Sequence, residues 1–206
     1  FIHTSLFFIR SHMKRAIDIL GAITGLLVIM PFAPLITIAI KFESEGPVFV
    51  RLNRVSGGKV IQVYKFRSMV DGAHQMKISL QHLNERRDGP FFKIRNDPRL
   101  TRTGKYLRKF RLDEFPQLIN VLKNELSLVG PRPHEPEEIQ HYPEEYKQLF
   151  LAKAGVTGHS QVNGASSLSF LKELELDRYY LQNQSVLFDL KIIAKTLSIL
   201  FTDPSA

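Results

Sequence analysis

The hydrophobic pattern of the chain is dominated by an uncharged apolar segment near its start. No charged residue occurs in residues 19–40, a run of 22 residues. As one straight α-helix this run would measure about 33 Å, which is enough to cross a bilayer. Pro31 and Pro34 interrupt it near the middle, where each proline removes a backbone hydrogen bond and bends a helix. The pattern therefore predicts two shorter helices with a break between them.

The charges that flank this segment predict how it lies in a membrane. Basic residues stand on both sides of it: Lys14, Arg15, Lys41, Arg51 and Arg54. Because basic residues favour the cytoplasmic side, both ends are expected there. A re-entrant helix–break–helix with arms of about 18 Å satisfies this distribution, and a kinked helix that crosses once is the alternative. Residues 1–15 are predicted to lie at the membrane interface or to form a frayed terminus.

Two β-branched runs follow, at residues 48–50 and 60–64, separated by a Ser-Gly-Gly-Lys sequence. This pattern predicts a β-hairpin. The second run leads into Lys65 and Arg67, which would share one strand face because side chains two residues apart point the same way. Paired cations suit a phosphate group, and the alternative is that they are solvated edge charges that discourage aggregation.

The later segments are read mainly as helices. Residues 71–87 are polar and predict a helix that ends at Asp88-Gly89-Pro90. Residues 186–202 are amphipathic, with Lys191 and Lys195 on one stripe, and predict a helix that packs on the core or lies at a membrane interface. The expected fold class is α+β with helices dominant.

Positive charge is concentrated ahead of one pair of adjacent carboxylates. The chain has 28 Lys and Arg against 20 Asp and Glu, a net charge of +8, and it has no Cys. This excess suits phosphate-rich partners, and the absence of Cys excludes disulfides and thiolate metal sites. Seven cations fall within 17 residues before the pair Asp113-Glu114: Arg95, Arg99, Arg102, Lys105, Arg108, Lys109 and Arg111. They are expected to bind an external anion, or else to form a solvated helix face.

Pro116 predicts that a helix starts next to this carboxylate pair. Proline is tolerated in the first turn of a helix, and Phe115 and Leu118 begin a helical apolar period. An α-helix is therefore predicted to begin at or next to Asp113. Its N-terminus would keep a carboxylate ionised and attract phosphate, which makes residues 105–133 the candidate site. An ordinary N-cap aspartate beside a solvated helix is the alternative.

Several long motifs then occur in a fixed order. They are YKFRSM (64–69), NDPRLTRTGKYLRK (96–109), RLDEFPQLINVL (111–122), ELSLVGPRP (125–133), GVTGHSQVNG (155–164) and LDRYYLQNQSVLFDLKIIAKT (176–196). Behind an apolar hairpin with Pro31, this order resembles the bacterial sugar transferases, monotopic phosphoglycosyl transferases that move a sugar 1-phosphate from a UDP-sugar to undecaprenyl phosphate. The resemblance covers essentially the whole chain. It implies a re-entrant membrane segment (residues 1–45) and a cytosolic catalytic domain (residues 46–206), on the cytoplasmic face of the bacterial inner membrane.

The resemblance also implies roles for individual residues. Asp113 is expected to be the nucleophile that attacks the β-phosphate of the UDP-sugar. Glu114 is expected to assist, with Mg²⁺ held by the pair or through proton and charge handling, and Pro31 to break the re-entrant helix. The expected partners are the UDP-sugar, undecaprenyl phosphate and membrane lipids, with UMP as a product. The residues expected to bind phosphate or substrate, with Arg67 included for its place on the strand, are Lys65, Arg67, Arg108, Arg132, Gln161 and Asn163.

The chain departs from the family pattern at four positions: Asn124 for Gly, Ala154 for Pro, His159 for an aromatic residue or Leu, and Ala165 for Arg. The missing Arg removes a bidentate phosphate contact, so a changed sugar preference or level of activity is expected. The alternative function is a membrane-tethered basic module for anionic lipid or nucleic acid. Such a module has no use for the Asp113-Glu114 pair, so nucleic acid is not an expected partner. The start at Phe1 rather than Met leaves a preceding segment open.

Overall fold

The computed structural model describes residues 2–164 and 167–202. The helices are α1 (Ile2–Ile29), α2 (Ala33–Glu43), α3 (Met76–Ser79), α4 (Arg102–Lys109), α5 (Gln117–Leu122), α6 (Pro136–Ile139), α7 (His159–Val162), α8 (Phe170–Asn183) and α9 (Val186–Thr202). The strands are β1 (Phe49–Ser56), β2 (Lys59–Phe66), β3 (Ser127–Val129) and β4 (Gly155–Thr157). Short 3₁₀ helices cover Gln81–Leu83, Leu112–Glu114 and Glu144–Leu151. The predicted α+β class with helices dominant is confirmed.

The predicted break in the apolar segment is also present. The turn between α1 and α2 contains Pro31, and the axes of Ser11–Ile29 and Ala33–Glu43 differ by 62°. Pro34 lies in the first turn of α2, where its missing N–H costs little. Within the described ranges no single helix is long and apolar enough to cross a membrane, whereas this bent pair passes that test by length and composition. The helix–break–helix is confirmed, and its re-entry into a membrane stays a prediction.

Polar contacts fix α1 to the rest of the fold. The buried carboxylate of Asp18 accepts hydrogen bonds from the hydroxyl of Ser127 at 2.8 Å and from the N–H of Leu128 at 2.8 Å. The ammonium of Lys14 lies 2.7 Å from the carboxylate of Asp189 on α9. Apolar residues of α1 share a core with α5 and β2. Because this core crosses residue 45, the division into 1–45 and 46–206 stays a prediction.

The predicted hairpin is confirmed. β1 and β2 pair antiparallel along their full length. Gly57 and Gly58 connect them with φ values of 60° and 72°, which is the left-handed backbone that a two-residue hairpin turn requires. A second sheet pairs β3 and β4 in parallel and was not predicted, since each of its strands has only three residues.

The prediction of one helix over residues 71–87 is wrong. Only α3 and the 3₁₀ turn Gln81–Leu83 are helical there. The side-chain oxygen of Asn84 accepts the N–H groups of Arg86 and Lys93, at 3.1 and 2.9 Å, and its amide donates to the carbonyl of Phe91. An asparagine that binds nearby backbone in this way offers the chain an alternative to helix.

The prediction that the last helix packs on the core is confirmed, and its position at a membrane interface stays a prediction. Ile192 of α9 is buried against Tyr180 and Val129, and the hydroxyl of Thr196 lies 2.7 Å from that of Thr157. The opposite face leaves large apolar side chains in solvent: Leu187, Leu190 and Leu197. The helix therefore packs on the core and still presents an apolar surface.

Asn124 occupies a position that favours glycine, and this gives a first prediction. Its φ is 64°, just after the end of α5. Asn124→Ala should lower the free energy of unfolding by about 1 kcal/mol, because a Cβ without a compensating polar group is disfavoured in left-handed backbone. Asn124→Gly should leave it within about 0.5 kcal/mol. Urea unfolding of both variants would check this. Equal losses would instead point to the hydrogen bond from Lys153, which both variants remove.

Candidate active site

A 3₁₀ turn carries the carboxylate pair. Arg111 adopts left-handed backbone, with φ of 53°, and redirects the chain after α4. Leu112–Glu114 form the turn, and α5 begins only at Gln117. A helix therefore does begin next to Asp113, as predicted, but it is a 3₁₀ turn and not the start of the α-helix. Pro116 has no N–H to donate to the carbonyl four residues before it, so it separates the turn from α5. The pair gains no support from an α-helix N-terminus.

Lys65 reaches the pair from the end of β2. Its Nζ lies 2.6 Å from Oε1 of Glu114, and both side chains are only about a quarter exposed. Side chains alternate along a strand, so the next residue, Phe66, points into the core while Lys65 faces the turn. This ion pair joins the hairpin to the carboxylates.

The two carboxyl groups differ in their ionisation. Asp113 is 5% exposed, and burial raises its pKa despite the nearby charges of Lys65 and Arg108. Burial also opposes the ionisation of Glu114, but the charges of Lys65 and Arg132 outweigh it and lower the pKa of Glu114. Glu114 is thus the charged partner of Lys65. The charge of Asp113 is poorly solvated, which is a property of reactive carboxylates.

Arg108 approaches from α4. Its Nε donates a hydrogen bond of 3.0 Å to the hydroxyl of Ser68, just beyond β2. The close approach depends on Gly104, where a Cβ would lie 1.8 Å from the carbonyl oxygen of Ser68. The predicted basic helix is confirmed as α4, and all four of its cations are exposed: Arg102, Lys105, Arg108 and Lys109.

Arg132 approaches from the loop after β3. Its backbone N–H donates to Oδ2 of Asp177 at 3.0 Å, and its Nε lies 3.9 Å from Oε1 of Glu173. Its charge acts on Glu114, as the lowered pKa of that carboxyl indicates. The structure therefore brings five of the predicted site residues into one charged cluster: Lys65, Arg108, Asp113, Glu114 and Arg132.

Arg67 does not join this cluster. Its guanidinium is buried and donates to the backbone carbonyls of Ser44, at 2.7 Å, and Glu45. β2 ends at Phe66, and the N–H of Arg67, just beyond it, still donates to the carbonyl of Val48 at 2.8 Å, so the strand face that it was expected to share with Lys65 stays a prediction. Arg67 holds the connection between α2 and β1, and these contacts do not favour its predicted role in phosphate binding.

Gln161 and Asn163 lie on or next to α7, and the contacts described for them do not include the carboxylates. Gln161 is buried, and its amide donates to the carbonyl of Val156 at 3.1 Å. Asn163 is exposed and accepts a hydrogen bond of 2.7 Å from Lys195 of α9. Their role in substrate binding stays a prediction. The departure at Ala165 lies outside the described residues.

The donor set of the site fits a magnesium ion held together with substrate. Mg²⁺ is usually bound through one or two carboxylates plus phosphate oxygens and waters. Asp113 and Glu114 supply two carboxylates at adjacent positions. No group of three or more metal-ligating side chains occurs in the described part of the chain, so the protein alone offers no closed metal cage there. Magnesium therefore stays a prediction that the residues allow.

Four residues near the site were missed by the sequence reasoning: Ser68, His134, Glu173 and Asp177. Gly104 was a usable signal for Ser68, since a glycine inside a helix often marks close contact with other backbone. Asp177 lies in the motif at residues 176–196, whereas His134 and Glu173 lie in no informative local pattern. His134 is distant in sequence from the two carboxylates, and only the packing of α8 against the loop after β3 brings it to them.

The sequence of this chain is similar to those of several known proteins. The model of the family described as bacterial sugar transferase matches residues 9–203. The galactosyl transferase CpsE of Streptococcus agalactiae serotype III is 38% identical over 97% of this chain and 45% of its own length. The exopolysaccharide production protein ExoY of Sinorhizobium fredii is 33% identical over 89% of this chain and 83% of its own length.

A third relative is the UDP-glucose:undecaprenyl-phosphate glucose-1-phosphate transferase of Escherichia coli strain K12. It is 37% identical over 94% of this chain and 41% of its own length. The chain thus spans less than half the length of two of these relatives and most of the length of ExoY. Because the family model covers nearly all of the sequence, this chain belongs to the bacterial sugar transferase family.

Proposed function

We propose that this chain transfers a sugar 1-phosphate from a UDP-sugar to undecaprenyl phosphate, which yields undecaprenyl-diphosphate-sugar and UMP. The observation that carries the proposal is the cluster of Lys65, Arg108 and Arg132 around the Asp113-Glu114 pair. The name of the Escherichia coli relative supports the substrate pair. The name of the ExoY relative, an exopolysaccharide production protein, suits an early membrane step in exopolysaccharide synthesis, and the CpsE relative is named as a galactosyl transferase.

The reaction proceeds as two displacements at one phosphorus atom. A carboxylate oxygen of Asp113 attacks the sugar-bearing phosphorus, the bond from that phosphorus to the bridging oxygen breaks, and UMP leaves with that oxygen. A phosphate oxygen of the lipid then attacks the same phosphorus and the aspartyl bond breaks, which restores Asp113. A covalent intermediate of this kind splits one difficult step into two easier ones.

The cations of the site meet the electrostatic demand of this chemistry. Nucleophile and both substrates are anions, so their approach requires fixed positive charge. The charge of Arg108 favours the ionised form of Asp113, and the charge of Arg132 favours the ionised form of Glu114. Guanidinium groups suit the phosphates of the donor and of the leaving UMP. Mg²⁺ bound by Asp113 and Glu114 would supply further charge neutralisation on the diphosphate.

The bent helix pair suits an enzyme whose acceptor is a lipid. Large apolar side chains of α1, α2 and the turn between them are exposed: Leu20, Leu27, Val28, Met30, Leu35, Ile38 and Phe42. A re-entrant position in the cytoplasmic leaflet of the inner membrane, with the break at Pro31, would bury this surface in lipid and leave both ends on the cytoplasmic side. The lipid phosphate would then lie at the depth of the catalytic turn.

The alternative of a basic binding module gains no support from the charge layout. Arg99 is buried in an ion pair of 2.6 Å with Asp97, and Arg108 is directed to Ser68. The run of seven cations therefore does not form one continuous basic face. Phosphate of the donor and acceptor is the anion that the remaining cations suit.

A panel of UDP-sugars tests the proposal. Purified protein in lipid nanodiscs would be mixed with undecaprenyl phosphate, Mg²⁺ and UDP-glucose, UDP-galactose or their N-acetylated forms, with UMP as the readout. At least one donor should give multiple turnovers. Without the lipid, that donor should give one UMP per enzyme, because the aspartyl intermediate accumulates. No UMP from the whole panel would refute the proposal.

Lys65→Met should shift the pH dependence of UMP release. The charge of Lys65 opposes the effect of burial on both carboxyl groups, so its loss raises the pKa of Asp113 and of Glu114. The acid limb of kcat/KM should move to higher pH, and the loss of rate should be larger at pH 6 than at pH 8. Lys105→Met, on the exposed face of α4, is the matched control and should keep the wild-type profile. Parallel profiles for wild type and Lys65→Met would contradict this assignment.

A further inference from the structure

A buried carboxylate lies behind the candidate site. Glu173 of α8 is 1% exposed, although glutamate is rarely buried without a partner. Its Oε1 lies 3.2 Å from Nε2 of His134 and 3.9 Å from Nε of Arg132. Glu173 therefore lies between a buried imidazole and the guanidinium that acts on Glu114.

The same helix also holds the backbone at Arg132. Asp177, one turn further along α8, is 1% exposed and accepts the N–H of Arg132 at 3.0 Å. One buried carboxylate thus fixes the main chain of Arg132, and the other faces its side chain. Both contacts come from one helix, and the side chain of Arg132 is otherwise 42% exposed.

Stability alone does not account for this arrangement. Oε1 of Glu173, Nε2 of His134 and Oδ1 of Asp177 are buried and have no hydrogen-bond partner of ordinary geometry. Buried polar atoms of this kind cost free energy, so each calls for an explanation. An apolar side chain at position 173 would avoid the cost and lose the charge contact with Arg132.

The charges of the group favour an ionised Glu173. Burial opposes its ionisation, but the close contact with the imidazole of His134 and the charge of Arg132 lower its pKa. Burial likewise opposes protonation of His134, and Glu138 and Glu173 outweigh it and raise the pKa of His134. The site thus has a second layer of charge: Glu173 behind Arg132, which in turn acts on Glu114.

We propose that Glu173 is a positioning residue that holds the Arg132 guanidinium against the carboxylate turn, where Arg132 binds the diphosphate of the donor. The inference rests on the proposed transferase function. Glu173 itself contacts no substrate, since it is buried behind the arginine. Without its charge, Arg132 keeps its backbone bond to Asp177 but its side chain samples more orientations.

Glu173→Gln tests this with a near-isosteric, uncharged side chain. The KM for the UDP-sugar should rise about tenfold with kcat little changed, because a binding group is misplaced rather than removed. Glu175→Gln makes the same change on the exposed face of α8 and should leave both constants unaltered. A purely structural role for Glu173 would lower the active fraction, which reduces apparent kcat and leaves KM unchanged. That result would overturn the inference.

A double-mutant cycle with Arg132→Ala adds a second criterion. If Glu173 acts through Arg132, Glu173→Gln should cost little once the arginine is absent. The same tenfold cost in both backgrounds would refute the coupling. If Glu173→Gln fails to fold, Glu173→Asp replaces it in the cycle. Aspartate keeps the charge but places it one methylene further from Arg132. We therefore expect a smaller rise in KM, and no rise in the Arg132→Ala background.

A spectroscopic readout separates this inference from the proposed function. The ¹⁵N resonance of the Arg132 Nε, assigned by its loss in Arg132→Lys, should shift in unliganded Glu173→Gln and not in Glu175→Gln. If the wild type makes no UMP from any donor, the proposed function fails, and this resonance still decides whether Glu173 positions Arg132. An unchanged resonance in Glu173→Gln would overturn the positioning role.

Discussion

Asp113→Asn should lower the rate of UMP release by about 10⁴-fold, because an amide cannot form the aspartyl-phosphosugar on which both displacements depend. The asparagine is nearly isosteric, so the turn Leu112–Glu114 should keep its shape. The measurement is single-turnover UMP release with saturating UDP-sugar and Mg²⁺. Intact mass of the wild type without lipid acceptor should show the mass of one phosphosugar, and the variant should show none.

Asp113→Asn should also stabilise the fold. This effect distinguishes a loss of catalysis from a loss of folded structure. Burial raises the pKa of Asp113, so the folded chain binds a proton there more readily than the unfolded chain does. The stability that this carboxyl contributes is therefore greatest at low pH and falls as pH rises through its folded pKa. At pH 7 its charge is destabilising, and Asp113→Asn should raise Tm in magnesium-free buffer, by about 2–4 °C for each kcal/mol gained.

Asp71→Asn is the matched control, since Asp71 is exposed and lies outside the charged cluster. It should retain wild-type UMP release, and its Tm should show no comparable rise. Wild-type turnover in Asp113→Asn would remove Asp113 from the chemistry. Lost turnover together with a lowered Tm would mean that Asp113 stabilises the turn. The aspartate would then not be a catalytic group that is kept at a cost in stability.

The sequence predicted best those features that depend on local backbone chemistry. The break at Pro31 follows from a missing N–H, and the hairpin follows from two glycines between β-branched runs. The charged segment before Asp113 became α4, as its helical spacing indicates. In each case the determining residues lie within a few positions of one another, so no tertiary contact was needed for the prediction.

The failures occur where one contact overrides local preference. Arg67 follows Lys65 by two residues, yet two backbone carbonyls after α2 capture its guanidinium. A helix was predicted over residues 71–87, but the side chain of Asn84 binds nearby backbone groups and the chain there is mostly not helical. Asp113 was expected at an α-helix N-terminus, and Pro116 instead isolates it in a 3₁₀ turn. These outcomes depend on partners that spacing in sequence does not identify.

The contact between His134 and Glu173, next to Arg132, shows most clearly what could not be predicted from the sequence. His134 and Glu173 are separated by 38 intervening residues, and neither lies in an informative local pattern. Their contact exists only because α8 packs against the loop after β3. The order of the motifs could therefore identify Arg132 as a phosphate ligand. Glu173, which we propose orients it, could be identified only from the three-dimensional structure.

Gly104→Ala should be the most destabilising small substitution near the site. A Cβ at this position would lie 1.8 Å from the carbonyl oxygen of Ser68 and 2.5 Å from its carbonyl carbon. Both are backbone atoms, and the same oxygen accepts the N–H of Thr101, so the strand end cannot move without losing that bond. The free energy of unfolding should fall by about 3 kcal/mol, which corresponds to a Tm lower by roughly 6–12 °C. Urea unfolding and calorimetry measure both quantities.

Gly104→Ala should also lower activity, for a reason that is separate from its effect on stability. Moving α4 away from Ser68 breaks the 3.0 Å hydrogen bond that orients Arg108, so kcat/KM per folded molecule should drop about tenfold. Gly25→Ala is the matched control inside α1. There a Cβ meets only side-chain atoms of Leu118, the nearest being Cδ1 at 2.5 Å, and a side chain can rotate where a backbone carbonyl cannot. Equal losses of stability in the two variants would show that the close approach of α4 to Ser68 is not what requires glycine at position 104.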